Sequence, residues 1–165
     1  MAQSIIDIIA REHRHIESLL AQLEREQSHD QRVQVFESLA DMLIEHSRSE
    51  ERVLYPQLAA LSDFEKLAED CVEDHAVQDQ LLQNLSSRRT DEGDWPAVMA
   101  SLEEAVGQHI RFEEDKVFQV LRQYFLVEEL RIMGEEYLRI EGRVKQIQNV
   151  KHAIRNLMTF TLGER

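Results

Sequence analysis

The chain has 165 residues and a formal net charge of −13, which argues against a nucleic-acid binder because phosphate backbones demand a basic face. Five glycines and two prolines favour few turns and long helices. A single cysteine, Cys71, excludes an internal disulfide and fits a reducing compartment. No run is long enough to span a membrane, and the first apolar run contains Asp7, unlike a secretion signal. We therefore expect a cytoplasmic protein.

The first two predicted helices follow from the spacing of apolar residues. From Ser4 to about Glu26 apolar side chains recur every three or four positions, and Ser4 is suited to capping the start. After a short polar break the same period resumes at about Gln31. Pro56 should end or kink this second helix near Tyr55, because the residue before a proline avoids helical geometry.

Two further helices are predicted before residue 125. The segment SDFE (62–65) has the pattern of a capping box and should start the third helix, which runs to about Leu85. The segment 88–94 has loop composition, after which Asp94 should cap a fourth helix that tolerates Pro96 in its first turn. Short loops make neighbouring helices antiparallel, so the sequence predicts an all-α, up-down-up-down four-helix bundle.

A fifth segment, from about Leu126 to Leu157, has a nearly heptad apolar pattern. Gly134, Gly142 and Lys151 argue against one continuous helix. We predict that its first half folds back on the bundle and that the part from Val144 onward runs past it. The predicted organisation is a bundle over residues 1–140 and a helical extension over 141–165.

Each of the four apolar helix faces contains polar residues at positions where the helical period predicts an apolar side chain such as leucine. They are His13 on the first helix, His46 and Glu50 on the second, His75 on the third, and His109 and Glu113 on the fourth. At about 1.5 Å of rise per residue, the four histidines fall near one layer of the bundle. Buried charges without partners cost several kcal/mol, so the six residues indicate a shared partner. Imidazole with carboxylate binds first-row transition metals, and six ligands suit two carboxylate-bridged metals better than one tetrahedral zinc.

The chain also repeats itself. EHRHIESLL (12–20) matches DHAVQDQLL (74–82), and HSRSEERVLYPQL (46–58) matches HIRFEEDKVFQVL (109–121). The two histidines of the first half are 33 positions apart and those of the second half 34. Two similar helical hairpins would give each metal a similar ligand set. A polar network without metal, and a metal other than iron such as zinc or manganese, remain as alternatives.

The pattern His…HxxxE…His…HxxxE, with EERVLYP after the first pair, resembles the hemerythrin-like (HHE cation-binding) family over about residues 5–140. The resemblance implies a four-helix bundle with two iron ions bridged by carboxylates. Whether an oxo group also bridges them stays open. Its ligands fall on the same six residues: His13, His46, Glu50, His75, His109 and Glu113. Oxygen-carrying members have a fifth histidine where this chain has Asp79, which argues against simple oxygen carriage. The family's proline after the second pair is also absent, with Gln119 in its place.

Four other residues near the ligands have open roles. Glu17 and Asp79 each follow a ligand histidine by four, so each is either an oxygen ligand, an acceptor for a ligand's hydrogen bond, or a solvated charge. Tyr55 is a candidate phenolate ligand, although its repeat partner Phe118 favours a packing role. Cys71 is better interpreted as a buried apolar residue than as a redox thiol.

The leading functional hypothesis is a non-haem diiron protein that binds or reacts with O2, peroxide or nitric oxide in a redox, stress or sensing role. Whether it is an enzyme stays open; an oxidase or peroxidase type would fit. The alternatives are iron storage, iron delivery or iron–sulfur repair, and an interaction module with a structural metal. The basic second half of the fifth segment favours a homodimer through the C-terminal helix over a membrane surface.

Overall fold

The computed structural model describes residues 3–87 and 93–162, with side chains in the last helix up to residue 153. All regular structure in these ranges is helical, and a short π-helical turn at Glu113–Val117 separates α5 from α6. The helices are α1 Ile5–Arg25, α2 His29–Val53, α3 Tyr55–Ala59, α4 Glu65–Ser86, α5 Trp95–Phe112, α6 Phe118–Tyr124 and α7 Val127–Leu162. None of the helices in the described part of the chain has the length and apolar character needed to cross a membrane.

The predicted four-helix bundle is confirmed, with α1, α2, α4 and α5–α6 as its members. Successive bundle helices are also neighbours in space, since α1 packs on α2, α2 on α4 and α4 on α5, and the contact of α1 with α5 closes the bundle. The Ser4 hydroxyl accepts a hydrogen bond from the Ile6 amide at 3.1 Å and caps α1 as expected. Helix α2 starts at His29, slightly earlier than predicted, because Ser28 takes the cap position. Pro56 in the first turn of α3 marks the predicted break after α2.

The predicted capping box at 62–65 is wrong. Helix α4 begins at Glu65 with Phe64 in the cap position, and no side chain caps this end. The reason is a tight backbone turn, in which the Phe64 amide donates to the Leu61 carbonyl at 2.8 Å and leaves Ser62 outside the helix. At the other long connection, Asp94 takes the cap position of α5 and Pro96 lies in its first turn, as predicted.

Two apolar clusters lie on either side of a polar layer. One holds residues from the start of α1, the junction of α2 and α3, α6 and α7, including Ile5, Leu54 and Leu121. The other holds residues nearer the opposite end, including Leu39, Leu85 and Leu102. Burying one such side chain stabilises the fold by roughly 1.5–3 kcal/mol, so two such clusters can offset the cost of a polar layer between them.

Helix α7 is continuous through Gly134, Gly142 and Lys151, so the predicted interruption is wrong. It packs against α1 and α2, and its buried face is formed by Leu130, Met133, Tyr137, Ile140 and Val144. A Cβ at Gly134 would overlap the Gln3 carbonyl oxygen and lie 3.1 Å from the Ile5 amide nitrogen. The missing side chain therefore permits the close approach of α7 to α1.

The first half of α7 folds back on the bundle, as predicted. The expectation that the helix leaves the bundle from Val144 onward is wrong within the described side chains. Val144 and Gln148 are both buried, and His152 Nε2 lies 3.4 Å from Asp41 Oδ1 of α2. The helix passes through residues 140 and 141 without a break, and a domain boundary there stays a prediction.

Candidate metal centre

The six predicted ligands meet in the polar layer, and all are almost fully buried: His13 from α1, His46 and Glu50 from α2, His75 from α4, His109 from α5 and Glu113 from the π-helical turn. They form two overlapping groups, one of His13, His46, Glu50 and Glu113 and one of Glu50, His75 and His109. Within each group, one donor atom per residue lies within 4.8 Å of the others. Glu50 belongs to both groups, so its carboxylate lies between two places where a cation could bind.

The two inner carboxylates occupy equivalent positions. Glu50 Oε2 lies 3.3 Å from His46 Nε2 and 3.3 Å from His75 Nε2. Glu113 Oε2 lies 3.2 Å from His13 Nε2 and 3.8 Å from His109 Nε2. Each carboxylate therefore stands between one histidine of each hairpin.

Several inward atoms of the cluster make no hydrogen bond, although some lie within 3.3 Å of one another, because their contacts lack hydrogen-bond geometry: His13 Nε2, His46 Nε2, Glu50 Oε1 and Glu113 Oε2. A buried polar atom left without a partner costs about 1–3 kcal/mol. Cations in the two groups would give these atoms a common partner, and imidazole with carboxylate oxygen suits a first-row transition metal. The donor set therefore fits a transition-metal site.

Each ligand histidine presents its second ring nitrogen, Nδ1, to an outer carboxylate. The pairs are His13 with Glu114 at 2.9 Å, His46 with Glu12 at 2.9 Å, His75 with Glu51 at 3.2 Å and His109 with Asp74 at 3.3 Å. Such a partner holds the ring with Nε2 pointing inward and makes that nitrogen a stronger ligand. The four pairs form a closed ring around the bundle, because each acid holds the histidine of the next helix.

Sequence analysis missed these outer acids, although a signal was present. Each acid is the immediate chain neighbour of an inner ligand: Glu12 of His13, Glu51 of Glu50, Asp74 of His75 and Glu114 of Glu113. Consecutive residues on a helix point about 100° apart, so the neighbour of an inward residue faces the adjacent helix. The repeated acid–His and Glu–Glu pairs could have identified all four.

Tyr55 packs in the apolar cluster beside the polar layer, as favoured, and its hydroxyl also enters that layer. Its hydroxyl can donate to Glu50 Oε2 at 3.1 Å or to Glu113 Oε1 at 3.0 Å, and it lies 3.3 Å from His75 Nε2. Tyr55 is the first residue of α3, at the break that Pro56 introduces, and this turns its ring inward. Burial, with the Glu113 and Glu50 carboxylates, raises the pKa of Tyr55 well above its ordinary value. The phenol therefore keeps its proton at neutral pH.

Helix α7 adds a second tyrosine, which sequence analysis did not single out. The fully buried Tyr137 donates its hydroxyl proton to Glu12 Oε2 at 2.6 Å, and Glu12 in turn holds His46. Burial raises the pKa of Tyr137 well above its ordinary value, and the Glu50 and Glu12 carboxylates add to this effect. A buried phenol needs a polar partner, so a tyrosine in the apolar pattern of this segment was the signal that a polar group lies opposite it.

Two of the open candidates lie outside the cluster. Glu17 is exposed and pairs with Arg14 at 3.1 Å, so it is neither a ligand nor an acceptor for one. Asp79 is bound by Arg48, which also binds Glu51, so Asp79 is separated from His75 by two intervening side chains. It fails to reach the site because Gln78, rather than Asp79, is the buried residue on that turn of α4.

Cys71 is buried in the apolar cluster near Tyr55. Burial raises the pKa of the Cys71 thiol, and the Glu113 and Glu50 carboxylates add to this. A reactive thiolate is therefore disfavoured, in agreement with the predicted packing role.

Without a cation, the pKa values of the two inner glutamates shift in opposite directions. Burial raises the pKa of Glu50 well above its ordinary value, and the Glu113 carboxylate adds to this. Burial acts the same way on Glu113, but the imidazoles of His13, His109 and His46 outweigh it and hold the Glu113 pKa below its usual range. Buried carboxylates this close need positive charge nearby, which either protons or bound cations can supply.

A helical bundle with a buried layer of four histidines and two glutamates defines a metal-binding protein of the histidine–carboxylate class. Comparison with known families makes this more specific, because the sequence profile of the hemerythrin HHE cation binding domain matches residues 4–121. The chain belongs to this family. No curated protein sequence matches the chain.

Among solved structures, the chain is similar to the crystal structure of a hemerythrin HHE cation binding domain-containing protein, the Rv2633c homolog from Mycobacterium kansasii. The TM-score is 0.81 at 19% identity, over 90% of this chain and 91% of that one. At this identity the match supports the fold alone. The segment before α7 is shorter than the 90% of the chain that is covered by the match. The similarity therefore extends into α7.

Proposed function

We propose that this chain holds two iron ions in the histidine–carboxylate cluster and that the centre binds or reacts with O2, peroxide or nitric oxide. The observation that carries the proposal is the pair of overlapping donor groups that share Glu50, with unpartnered inward atoms on His13, His46 and Glu113. Six buried candidate ligands in two groups that share one carboxylate suit two metals better than one. When bound, an iron pair supplies one-electron redox changes and open positions for a small ligand.

The surrounding residues favour reaction over simple carriage. Helix α4 offers one histidine, His75, and the position four residues later is Asp79, which Arg48 binds. A metal on this side would thus have one protein nitrogen fewer than in oxygen-carrying members and more room for an outside ligand. The Tyr55 hydroxyl between the two inner carboxylates holds a proton that it can donate to a ligand bound there.

Metal content tests the first half of the proposal. Protein produced with iron should contain about two iron atoms per chain, and the double variant His46→Ala/His109→Ala should lose most of them. His15→Ala is the matched control, because His15 is an exposed histidine on α1. Less than about one metal per chain in the unaltered protein, or full metal content in the double variant, would overturn the proposal.

Optical spectra test the second half. The reduced, iron-loaded protein should change its absorption on adding peroxide or nitric oxide, and oxidation by O2 should not reverse under vacuum. A spectrum that O2 changes reversibly would indicate carriage. Iron that leaves within minutes for a chelator under anaerobic conditions would instead support iron storage or delivery, which the deep burial of all six ligands disfavours.

We further propose that the outer face of α7 mediates a homodimer. This face carries the exposed apolar residues Ile132, Leu138, Ile147 and Val150. Sedimentation of the full chain and of Ile147→Glu/Val150→Glu tests it, since both substitutions should leave the buried side of α7 intact. A monomeric full chain would refute the dimer.

A further inference from the structure

A surface cavity of about 630 Å³ lies beside the cluster, between α3 and α4. Its walls include the small or compact side chains Pro56, Ala59, Ala68 and Val72, and Tyr55 is one of its most deeply buried lining residues. Small side chains along a concave, partly apolar wall leave room for a small molecule.

Tyr55 connects this cavity directly to the metal-binding layer. Tyr55 lines the cavity, and its hydroxyl lies within hydrogen-bond distance of both inner carboxylates, Glu50 and Glu113. The same residue therefore borders the cavity and contacts the inward side of the cluster. The cavity also includes Glu51, which holds the outer nitrogen of His75.

Two other cavities come near the cluster but reach only its outer side. One, between α4 and α5, is lined by Asp74 and Val77, and Asp74 contacts the outer nitrogen of His109. The other is lined by Arg48 and Asp79, which bind each other. In the described part of the chain, no hydrogen bond or ion pair joins a lining residue of either cavity to the inner carboxylates.

The lining of the cavity beside Tyr55 also carries net negative charge. Its lining residues include Glu51, Glu65, Glu69 and Glu73, and none of those described there is basic. Arg48 binds Glu51 and Lys66 Nζ lies 3.9 Å from Glu69, so Glu65 and Glu73 contribute most of this charge. Charges of one sign around a concave opening repel ions of the same sign and leave uncharged molecules unaffected. This surface therefore disfavours small anions.

We infer that the cavity between α3 and α4 is the access route by which a small uncharged ligand reaches the centre, with Tyr55 as its inner wall and the glutamates as a barrier to anions. The inference rests on the proposed function, and it specifies the class of ligand. Nitric oxide, O2 and hydrogen peroxide belong to this class. Azide, nitrite and superoxide do not.

Filling the cavity tests the route. Val72 and Val77 both lie on α4 and are 43% and 51% exposed, but Val72 lines this cavity and Val77 lines the one beside Asp74. Val72→Phe should slow the association of nitric oxide with the reduced, iron-loaded protein by about tenfold, as narrowing a route to a buried site does. Val77→Phe should stay within about twofold of the unaltered protein. Equal rates in the two variants would overturn the inference.

A second measurement uses the metal-free protein, so it does not depend on the proposed function. Dissolved O2 accelerates the relaxation of methyl protons that it can reach. The Ala68 methyl is almost completely buried but lines the cavity, whereas Leu102 is buried in the apolar core. Ala68 should relax faster than Leu102, and Val72→Phe but not Val77→Phe should remove the difference. Equal relaxation of the two methyl groups would refute an open route even if the protein binds no iron.

The barrier to anions has its own test. Glu65→Gln/Glu69→Gln/Glu73→Gln removes three exposed charges from the cavity and retains Glu51, which holds His75. This triple variant should bind azide about five- to tenfold faster and nitric oxide at an unchanged rate. The control, Glu24→Gln/Glu103→Gln/Glu135→Gln, changes the net charge equally at exposed positions elsewhere. Equal effects of the two triples on azide would show that net charge, not this cavity, controls access.

Discussion

The α1–α2 hairpin and the α4–α5 hairpin repeat the same ligand spacing, but α7 packs against α1 and α2. The outer acids show the difference. The Glu12 side chain is 6% exposed beneath α7, while its counterpart Asp74 is 48% exposed. Electrostatic pairing is stronger where water is excluded, so the same motif gives a rigid histidine in one half and a more loosely held one in the other.

The second difference concerns the residues that follow the inner glutamates. After Glu50 the helix breaks at Pro56 and the Tyr55 hydroxyl enters the cluster. After Glu113 the chain continues through the π-helical turn, and Phe118 stacks on the His13 ring with centroids 6.1 Å apart. The sequence repeat thus sets the positions of the buried histidines and glutamates, whereas the residues between them make the two sides of the cluster different.

The largest expected effect comes from the tyrosine that only the first half has. If Tyr55 supplies a proton to the ligand, Tyr55→Phe should slow the reaction with peroxide by about a hundredfold and leave the iron content unchanged. Tyr137→Phe is the matched control, since this tyrosine is equally buried and also bound to a carboxylate but lies on the outer side. Stopped-flow absorption measures both rates. Similar slowing in the two variants would contradict the assigned role of Tyr55.

The outer acids give the next largest effect. Glu12→Gln should weaken metal binding by about 10–100-fold, the usual effect of losing a carboxylate that orients a ligand histidine. Asp74→Asn should weaken it by less than about fivefold, because a half-exposed pair contributes little. Competitive titration against a chelator measures both. Equal losses would mean that α7 does not distinguish the two halves.

Docking of α7 can be perturbed through its glycines. Gly134→Ala should lower the free energy of unfolding by about 1–3 kcal/mol, because the added methyl group meets the start of α1. Gly142→Ala should raise it by about 0.5–1 kcal/mol, because that position has open space and alanine favours a helix. Urea unfolding of the metal-free variants measures both changes in the free energy of unfolding. A destabilising Gly142→Ala would argue against the continuous, docked α7.

The smallest expected effect concerns the charge of Glu141 on α7. Burial raises the pKa of Glu141, and the nearby Glu12 carboxylate adds to this. As pH rises, the unfolded chain therefore loses this proton first, so the residue lowers stability progressively from the ordinary glutamate pKa up through the raised folded-state pKa. Glu141→Gln should stabilise the metal-free protein by less than about 1 kcal/mol at pH 7.5 and by nothing near pH 4.

The exposed Glu135 on the same helix provides the control for that last effect. Glu135→Gln should leave the thermal midpoint unchanged at both pH values. If it matches Glu141→Gln at pH 7.5, the gain reflects net charge rather than crowding beneath α7.

Much of the bundle and its inner cluster follows from periodicity alone. Helical spacing predicted the four bundle helices, and polar residues in apolar stripes identified the six residues that meet, from His13 to Glu113. These predictions succeeded because they depend on which face of one helix a residue occupies. Ser4 and Pro56 acted as expected for the same reason, since capping and proline geometry are local.

The remaining features depend on contacts between elements. The outer acids act on histidines of neighbouring helices, and Tyr137 finds Glu12 across 125 positions of sequence. Gly134 has a low intrinsic preference for helix, yet it lies inside α7 because its missing side chain permits the approach to α1. The failed capping box at 62–65 reflects a backbone turn that residue types alone did not specify.

The ring of outer acids has a consequence for protein engineering. Two of its four pairs, His46 with Glu12 and His109 with Asp74, lie within a hairpin, and the other two join one hairpin to the other. Grafting only the six inner residues onto an unrelated bundle would transfer the donor atoms without the four outer acids that orient the histidines. The smallest transferable unit is therefore the inner ligands together with the four acids, in a bundle whose helices follow the same circular order.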